Sequence, residues 1–263
     1  MSIIEAIILG LIQGLTEFIP ISSSGHLVIA QYLMTGQSSH LFLEWINLGT
    51  VLSLIIYFRA RIWQAIRDIV QKHDYVLARN IIIAMLPAAI IGFMVADIIE
   101  SQPLFASPWT VLVTLIVVGI VLVVLERLPK WQLKDAEELP APRALIIGLA
   151  QVLALIPGTS RSGSTIIAGR LMGMSAARAA EFSFLVSIPI MLGVIAKLLI
   201  KHGDRAYLFD NFTPLLVGNL AALISGLLAV GFLMKYLQSH SLAVFGWYRI
   251  GLGVVLLVVL LLQ

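Results

Sequence analysis

The sequence predicts an all-α polytopic membrane protein, an inverted-topology repeat with about six transmembrane helices and two re-entrant helical hairpins. Three observations predict it. Of 263 residues, 60% are hydrophobic and 12% charged, with a mean hydropathy of +1.01, outside the range of soluble domains. Several segments are apolar over a bilayer-spanning length, and two shorter apolar regions are broken at their centres and align with each other. There is no cysteine, which excludes disulfide frameworks and thiolate metal sites. The pI of about 9.3 reflects the charge bias of membrane loops and not nucleic-acid binding. The N-terminus carries Glu5, Gln13 and Glu17 with no basic n-region, so it does not read as a cleavable signal peptide.

Five segments are long enough to cross, since roughly 20 residues are needed: about 80–99, 108–125, 180–200, 213–234 and 243–262. A sixth, about 41–58, is slightly less apolar. Regions 1–35 and 144–173 are each two apolar pieces split by a Pro/Ser/Gly-rich centre, as half-helices that dip in and return would be. With Gly10 laid on Gly148 they match at seven of seventeen positions, among them Gln13/Gln151, Ser22/Ser160, Ser24/Ser162 and Gly25/Gly163. Each broken region is followed by three plain spans, an odd number, so the second copy enters the membrane upside down. The chain is then a single integral membrane domain: repeat one over about 1–126, a cytoplasmic linker over about 127–143, and repeat two over about 144–263.

One face collects Arg59, Arg61, Arg67, Lys72, Arg79, Arg127, Lys130, Lys134, Arg143, Arg170, Arg178 and Lys235; the other has Lys197, Lys201 and Arg205. The rich face is cytoplasmic, so both termini lie outside and the polar centres, entering from opposite sides, can meet.

Gln13 and Glu17 share one helix face. A Glu in an apolar helix must pair, protonate or bind a metal, and a carboxylate with an amide oxygen suits a divalent cation, Mg²⁺ or Ca²⁺. A protonated Glu17 bonded to a neighbouring helix is the competing account. After Pro20, the stretch Ser22, Ser23, Ser24, Gly25 and His26 stands at the start of the next half-helix, where free N–H groups favour an anion. Ser23 and His26 are three residues apart, close enough for an imidazole to activate a hydroxyl. In the second centre, Arg161 is the one arginine expected deep in the membrane, and its fork suits a phosphate. Ser160, Ser162 and Thr165 complete an anion nest after Gly158. An Arg161–Glu17 ion pair that only joins the repeats is the alternative; it leaves the hydroxyls without work. Glu181 is expected to complement a helix start, Asp97 and Glu100 to sit at the outer interface, and Trp109, Trp247 and Tyr248 to form interfacial belts. Glu44, Asn47 and Asn219 are compatible with facing the interior and carry no functional assignment.

"QGLTEFIPISSSGH" (13–26) with "PGTSRSGST" (157–165) resembles the paired signature of the bacterial undecaprenyl-diphosphate phosphatases, the bacitracin resistance protein family. Length and hydropathy fit along essentially the whole chain, and Gln13 stands where the pattern also has Glu. The resemblance implies removal of the terminal phosphate from a C55 polyprenyl diphosphate, regenerating the carrier lipid for peptidoglycan and cell-wall polymers, with a divalent cation and a site open to the outer face. It implies that Gln13 and Glu17 serve the metal or its water, that Ser23 is the nucleophile and His26 its base or a proton donor, and that Arg161, Ser160, Ser162 and Thr165 hold the diphosphate. The partners are then the polyprenyl diphosphate and membrane lipids; the oligomeric state stays open, a homodimer included. The rival is an inverted-repeat transporter or flippase of the polyprenyl phosphate, which needs the anion cradle and no nucleophile.

Overall fold

The first helix starts in a capping box, in which Ser2 Oγ accepts the Glu5 N–H at 3.2 Å and the Glu5 carboxylate returns to the Ser2 N–H at 2.7 Å. This is a computed structural model describing residues 1–33, 40–128 and 139–262, without the side chains at 31–33, 96–101, 103 and 106. Lys130 and Lys134, and the side chains of Asp97 and Glu100, therefore lie outside what is described. The helices are α1 (Ile3–Glu17), α2 (Ser23–Leu33), α3 (His40–Trp45), α4 (Asn47–Tyr57), α5 (Arg59–Lys72), α6 (Val76–Ser101) and α7 (Pro103–Ala106). They continue as α8 (Pro108–Leu125), α9 (Ala141–Val152), α10 (Arg161–Leu171), α11 (Ala176–Ile200), α12 (His202–Asp210), α13 (Phe212–Tyr236) and α14 (Ala243–Leu261).

Six stretches are long and apolar enough to span: His40–Tyr57 (α3 with α4), Val76–Val95, Pro108–Leu125, Ala176–Ile200, Phe212–Tyr236 and Ala243–Leu261. They coincide with the six expected from sequence. The chain is an all-helical multi-pass membrane protein, and residues such as Phe93, Leu228 and Val113 turn their side chains outward, where lipid replaces water. The broken regions are α1 with α2, of 15 and 11 residues, and α9 with α10, of 12 and 11. At about 1.5 Å per residue each half falls short of a bilayer core about 30 Å thick.

Small residues bring the helices close. Gly10 and Gly14 of α1 face Gly218, Ser225 and Gly226 of α13, and Gly148 of α9 lies against the Ala84 backbone of α6. Lipid is as apolar as Leu, so such seams hold by backbone approach and van der Waals contact. The halves exchange partners: α1 of the first packs on α13 of the second, α9 of the second on α6 of the first, and α8 on α14. Helix α5 buries none of its residues and exposes Trp63, Ile66 and Val70 beside Arg59 and Arg67, as an interfacial helix does. It is tied to α11 by Arg61 Nε and Glu181 Oε1 at 3.1 Å; because α11 already begins at Ala176, with no acid in its first turn, Glu181 is an ion-pair partner and not the helix-start residue expected.

Candidate active site

Both breaks turn on a serine with φ 73°, Ser22 and Ser160, a left-handed conformation rare outside glycine. The hydroxyl of each caps the helix that follows. Ser22 Oγ accepts the Gly25 N–H at 3.2 Å and lies 3.1 Å from Ser24 Oγ; Ser160 Oγ accepts the Gly163 N–H at 3.1 Å and lies 3.1 Å from Ser162 Oγ. The helices α2 and α10 thus start with Ser23 and Arg161, and the first N–H groups of each are left without intrahelical partners.

The breaks meet, as expected. Arg161 Nη2 donates to Glu17 Oε1 at 2.7 Å, Ser162 Oγ to the Glu17 carbonyl at 3.2 Å, and the Gly158 N–H to Ser24 Oγ at 3.0 Å. The other Glu17 oxygen, Oε2, accepts from Ser23 Oγ at 2.7 Å and Gln13 Nε2 at 3.1 Å. A carboxylate in a membrane is thus met by a guanidinium, a hydroxyl and an amide, which answers its desolvation.

Asn47 sets the orientation of Gln13. Its Nδ2 is spent on the Leu43 carbonyl at 3.1 Å, so Oδ1 faces Gln13 and takes the Nε2–H at 2.7 Å. Gln13 therefore turns N–H groups toward Glu17 and orients that carboxylate, where the sequence pointed to a metal-ligating oxygen. Among the described residues no three His, Asp or Glu form a metal-binding group. Glu17, which lines a cavity together with Glu44, fits a hard cation only when a bound ligand supplies further oxygens, the usual way Mg²⁺ is held.

A cavity of about 920 Å³ opens from Glu17, Ser23 and Ser24, passes Leu27, Val28 and Val111, and reaches Lys197 and Lys201 near the end of α11. Other expected residues lie off it. Ser22 is fully buried as a cap, and Thr165 Oγ1 donates to the Arg161 carbonyl at 2.8 Å and is hydrogen-bonded to Ser183 Oγ, so it supports α10 from behind. His26 does not touch Ser23. Its Nδ1–H goes to the Ser22 carbonyl at 2.7 Å, the carbonyl one turn back, and its Nε2 accepts from the Tyr248 hydroxyl at 2.8 Å with the rings stacked. The bond to a carbonyl assigns the tautomer, and Ser23, the first residue of α2, swings to Glu17 instead. Tyr248, expected in an interfacial belt, thereby holds a break.

Arg249 corrects the expectation that Arg161 is the single deep arginine. It lies six residues inside α14 and is 0% exposed, with no carboxylate among its hydrogen-bond partners: Nη2 donates to the Gly158 carbonyl at 2.6 Å and the Thr114 carbonyl at 3.2 Å. Nε reaches the Leu115 carbonyl and Nη1 the Pro20 carbonyl, both at 3.4 Å. It ties one break to the other and both to α8. Next to it Gly158, at φ 86°, leaves no space for a Cβ between Thr114 and Val111. Position near the start of a span masked Arg249 in the sequence; the polar motif "GWYRIG" in an apolar helix was the signal.

Residues 6–255 match the family model for bacitracin resistance protein BacA. The chain is 41% identical to undecaprenyl-diphosphatase 1 of Mesorhizobium japonicum, covering 99% of this chain and 98% of that one. It is 40% identical to the undecaprenyl-diphosphatase of Nitrosospira multiformis (97% and 94% covered) and 39% to that of Acinetobacter baumannii (97% and 95%). By a match spanning nearly its whole length, the chain belongs to the bacitracin resistance protein BacA family.

Proposed function

We propose that the protein is a polyprenyl-diphosphate phosphatase that removes the terminal phosphate of undecaprenyl diphosphate and leaves the lipid monophosphate for peptidoglycan and cell-wall polymer synthesis. One observation carries the reading: at the floor of a cavity, Glu17 binds the Ser23 hydroxyl through one oxygen and the Arg161 guanidinium through the other. This joins a nucleophile, its proton acceptor and a phosphate-binding cation at one point, with the N-termini of α2 and α10 beside them.

The diphosphate takes Arg161 from Glu17. Ser23 Oγ attacks the terminal phosphorus as its proton passes to Glu17, and the bond to the bridging oxygen breaks, releasing the lipid monophosphate. Water then cleaves the phosphoserine, yielding orthophosphate and free Ser23. Arg161 and the helix N-termini meet the charge that develops on the phosphoryl oxygens. A divalent cation, Mg²⁺ or Ca²⁺, held by Glu17 and diphosphate oxygens, supplies further charge neutralisation when bound.

The site's orientation belongs to the same proposal. Arg61 and Glu181 fasten basic α5 to the N-terminal part of α11, whereas the cavity reaches Lys197 and Lys201 near the end of that helix. The cavity thus faces away from the basic side and opens outward under the positive-inside bias. The exchange of α1 and α9 between halves supports an inverted repeat, and the same charge bias puts both termini outside.

The test is orthophosphate release from a polyprenyl diphosphate by detergent-purified protein. Chelation, Glu17→Ala and Ser23→Ala should each abolish release while Ser23→Ala still binds substrate. Release that survives all three would overturn the reading; release that survives Ser23→Ala alone would assign the attack to water.

A further inference from the structure

The cavity extends well beyond the reacting groups. Met191 Sδ lies 3.2 Å from Arg161 Nη2, which places the floor of the site at that level of α11. Lys197 follows six residues later, so at the helical rise its stem starts about 9 Å farther along the helix, and Lys201 is the C-cap residue just past Ile200. Both line the cavity. The Lys201 N–H bonds the Lys197 carbonyl at 3.1 Å, so the two stand one turn apart at the end of the helix.

Among the described residues their charges are weakly engaged. Lys201 Nζ lies 3.7 Å from Asp204 Oδ2, a long contact, and Lys197 has no polar partner among the described residues. Besides Glu17, two acids share the lining with them: Asp204, which faces Lys201, and Glu44, whose Oε1 lies 3.8 Å from His40 Nδ1, an ion pair only when that imidazole is protonated. Lys197, Lys201 and Arg205 are also the three cations of a face otherwise poor in them, and two of the three border this one cavity. The cavity offers phosphate a route, because the tail of the substrate stays in lipid while the headgroup and the free product move through water. At the floor a departing phosphate dianion faces the Glu17 carboxylate; at the mouth it meets cations.

We propose that Lys197, with Lys201 beside it, forms a second phosphate-binding station at the mouth of the cavity, outward of Arg161, holding phosphate in transit. The station rests on the phosphatase reading and deepens it. Its ligand chemistry is a phosphate dianion, either orthophosphate on its way out or the lipid headgroup on its way in. A flexible, strongly hydrated ammonium suits the task, because it attracts the anion as a point charge without the bidentate grip that would retain it. Lowered potential energy along an anion path through low-dielectric surroundings speeds passage.

The experiment compares wild type with Lys197→Gln, Lys197→Arg and Lys201→Gln in detergent, reading KM for a polyprenyl diphosphate and the inhibition constant of added orthophosphate. Lys197→Gln should raise one of these about tenfold, the cost of one charge-assisted bond, with a smaller rise for Lys201→Gln. Lys197→Arg should restore it. A rise in the inhibition constant alone assigns the station to the leaving phosphate; a rise in KM alone assigns it to the arriving headgroup; a rise in both assigns it to each in turn. Neither value moving more than about twofold overturns the station while leaving the phosphatase reading intact. If wild type releases no phosphate, the phosphatase reading falls, and binding of inorganic phosphate to wild type and Lys197→Gln, measured by calorimetry, still decides the station: equal binding overturns it.

Discussion

The two breaks share a backbone and differ in cargo. Ser22 and Ser160 both sit at φ 73° and both cap the N–H three residues on, yet the next residue is Ser23 in one and Arg161 in the other. One turn before the break the first has Glu17 where the second has Leu155. The repeated backbone thus provides two anion-receptive helix ends, and a few side chains divide the labour between them. One end brings the nucleophile and its proton acceptor, the other the cation.

Removing that cation is the largest test of this division. Arg161→Ala leaves Glu17, whose side chain is 13% exposed, without its ion partner, and should destabilise the protein by about 3–5 kcal/mol. It should also lower the rate of phosphate release by about 10²–10³-fold, which Arg161→Lys should partly recover. Thermal unfolding in detergent and the release assay separate the two effects. A variant that folds and turns over normally would reduce the ion pair to a staple between the halves.

The second arginine tests whether the breaks are held as a pair. Arg249→Met orphans the Gly158 carbonyl, at a cost of about 1–3 kcal/mol, and frees the breaks from α8, whose Thr114 carbonyl keeps its place in the helix ladder. The melting temperature should fall, and Arg249→Lys should recover part of it. An unchanged melting temperature would show that Gly158, Thr114 and their neighbours keep this arrangement without it.

Arg249 also marks how far the sequence could be read. The spans, both breaks and the meeting of Glu17 with Arg161 follow from hydropathy and motif spacing, since each depends on local pattern or on the high cost of a lone charge in lipid. Partnerships between distant helices were not legible. Asn47 comes from α4, and nothing near it in sequence says that it fixes the amide of Gln13. His26 and Ser23 have suitable spacing, but a carbonyl one turn back and Tyr248 from α14 claim both ring nitrogens. Arg249 looked interfacial because sequence gives distance from a span end, not the depth to which the breaks descend beside it.

The serine hinges offer a smaller comparison. Replacing Ser22 or Ser160 by Ala loses the cap and keeps an unfavourable φ; replacing either by Gly also loses the cap but removes the steric cost. Gly should therefore exceed Ala in stability by about 1 kcal/mol at both positions. A preference at one hinge and not at the other, seen in detergent melting curves, would show that the backbones are alike in shape but not in strain.

The smallest effect concerns the glutamines that align in the two halves. Gln13 has Glu17 one turn on and Asn47 across from it, and spends its amide on both. Gln151 has Leu155 at the matching place, is 2% exposed, and neither its Nε2 nor its Oε1 has a partner among the described residues. An unpaired buried amide costs about 1–3 kcal/mol, so Gln151→Met, similar in length and free of that cost, should leave activity intact and raise stability by up to about 1 kcal/mol. Gln13→Met should lower activity about tenfold by releasing a Glu17 oxygen from its N–H donor. If Gln151→Met instead melts several degrees lower, a buried water occupies the second half where the first has its carboxylate, and the two halves are more alike in their polar wiring than their side chains indicate.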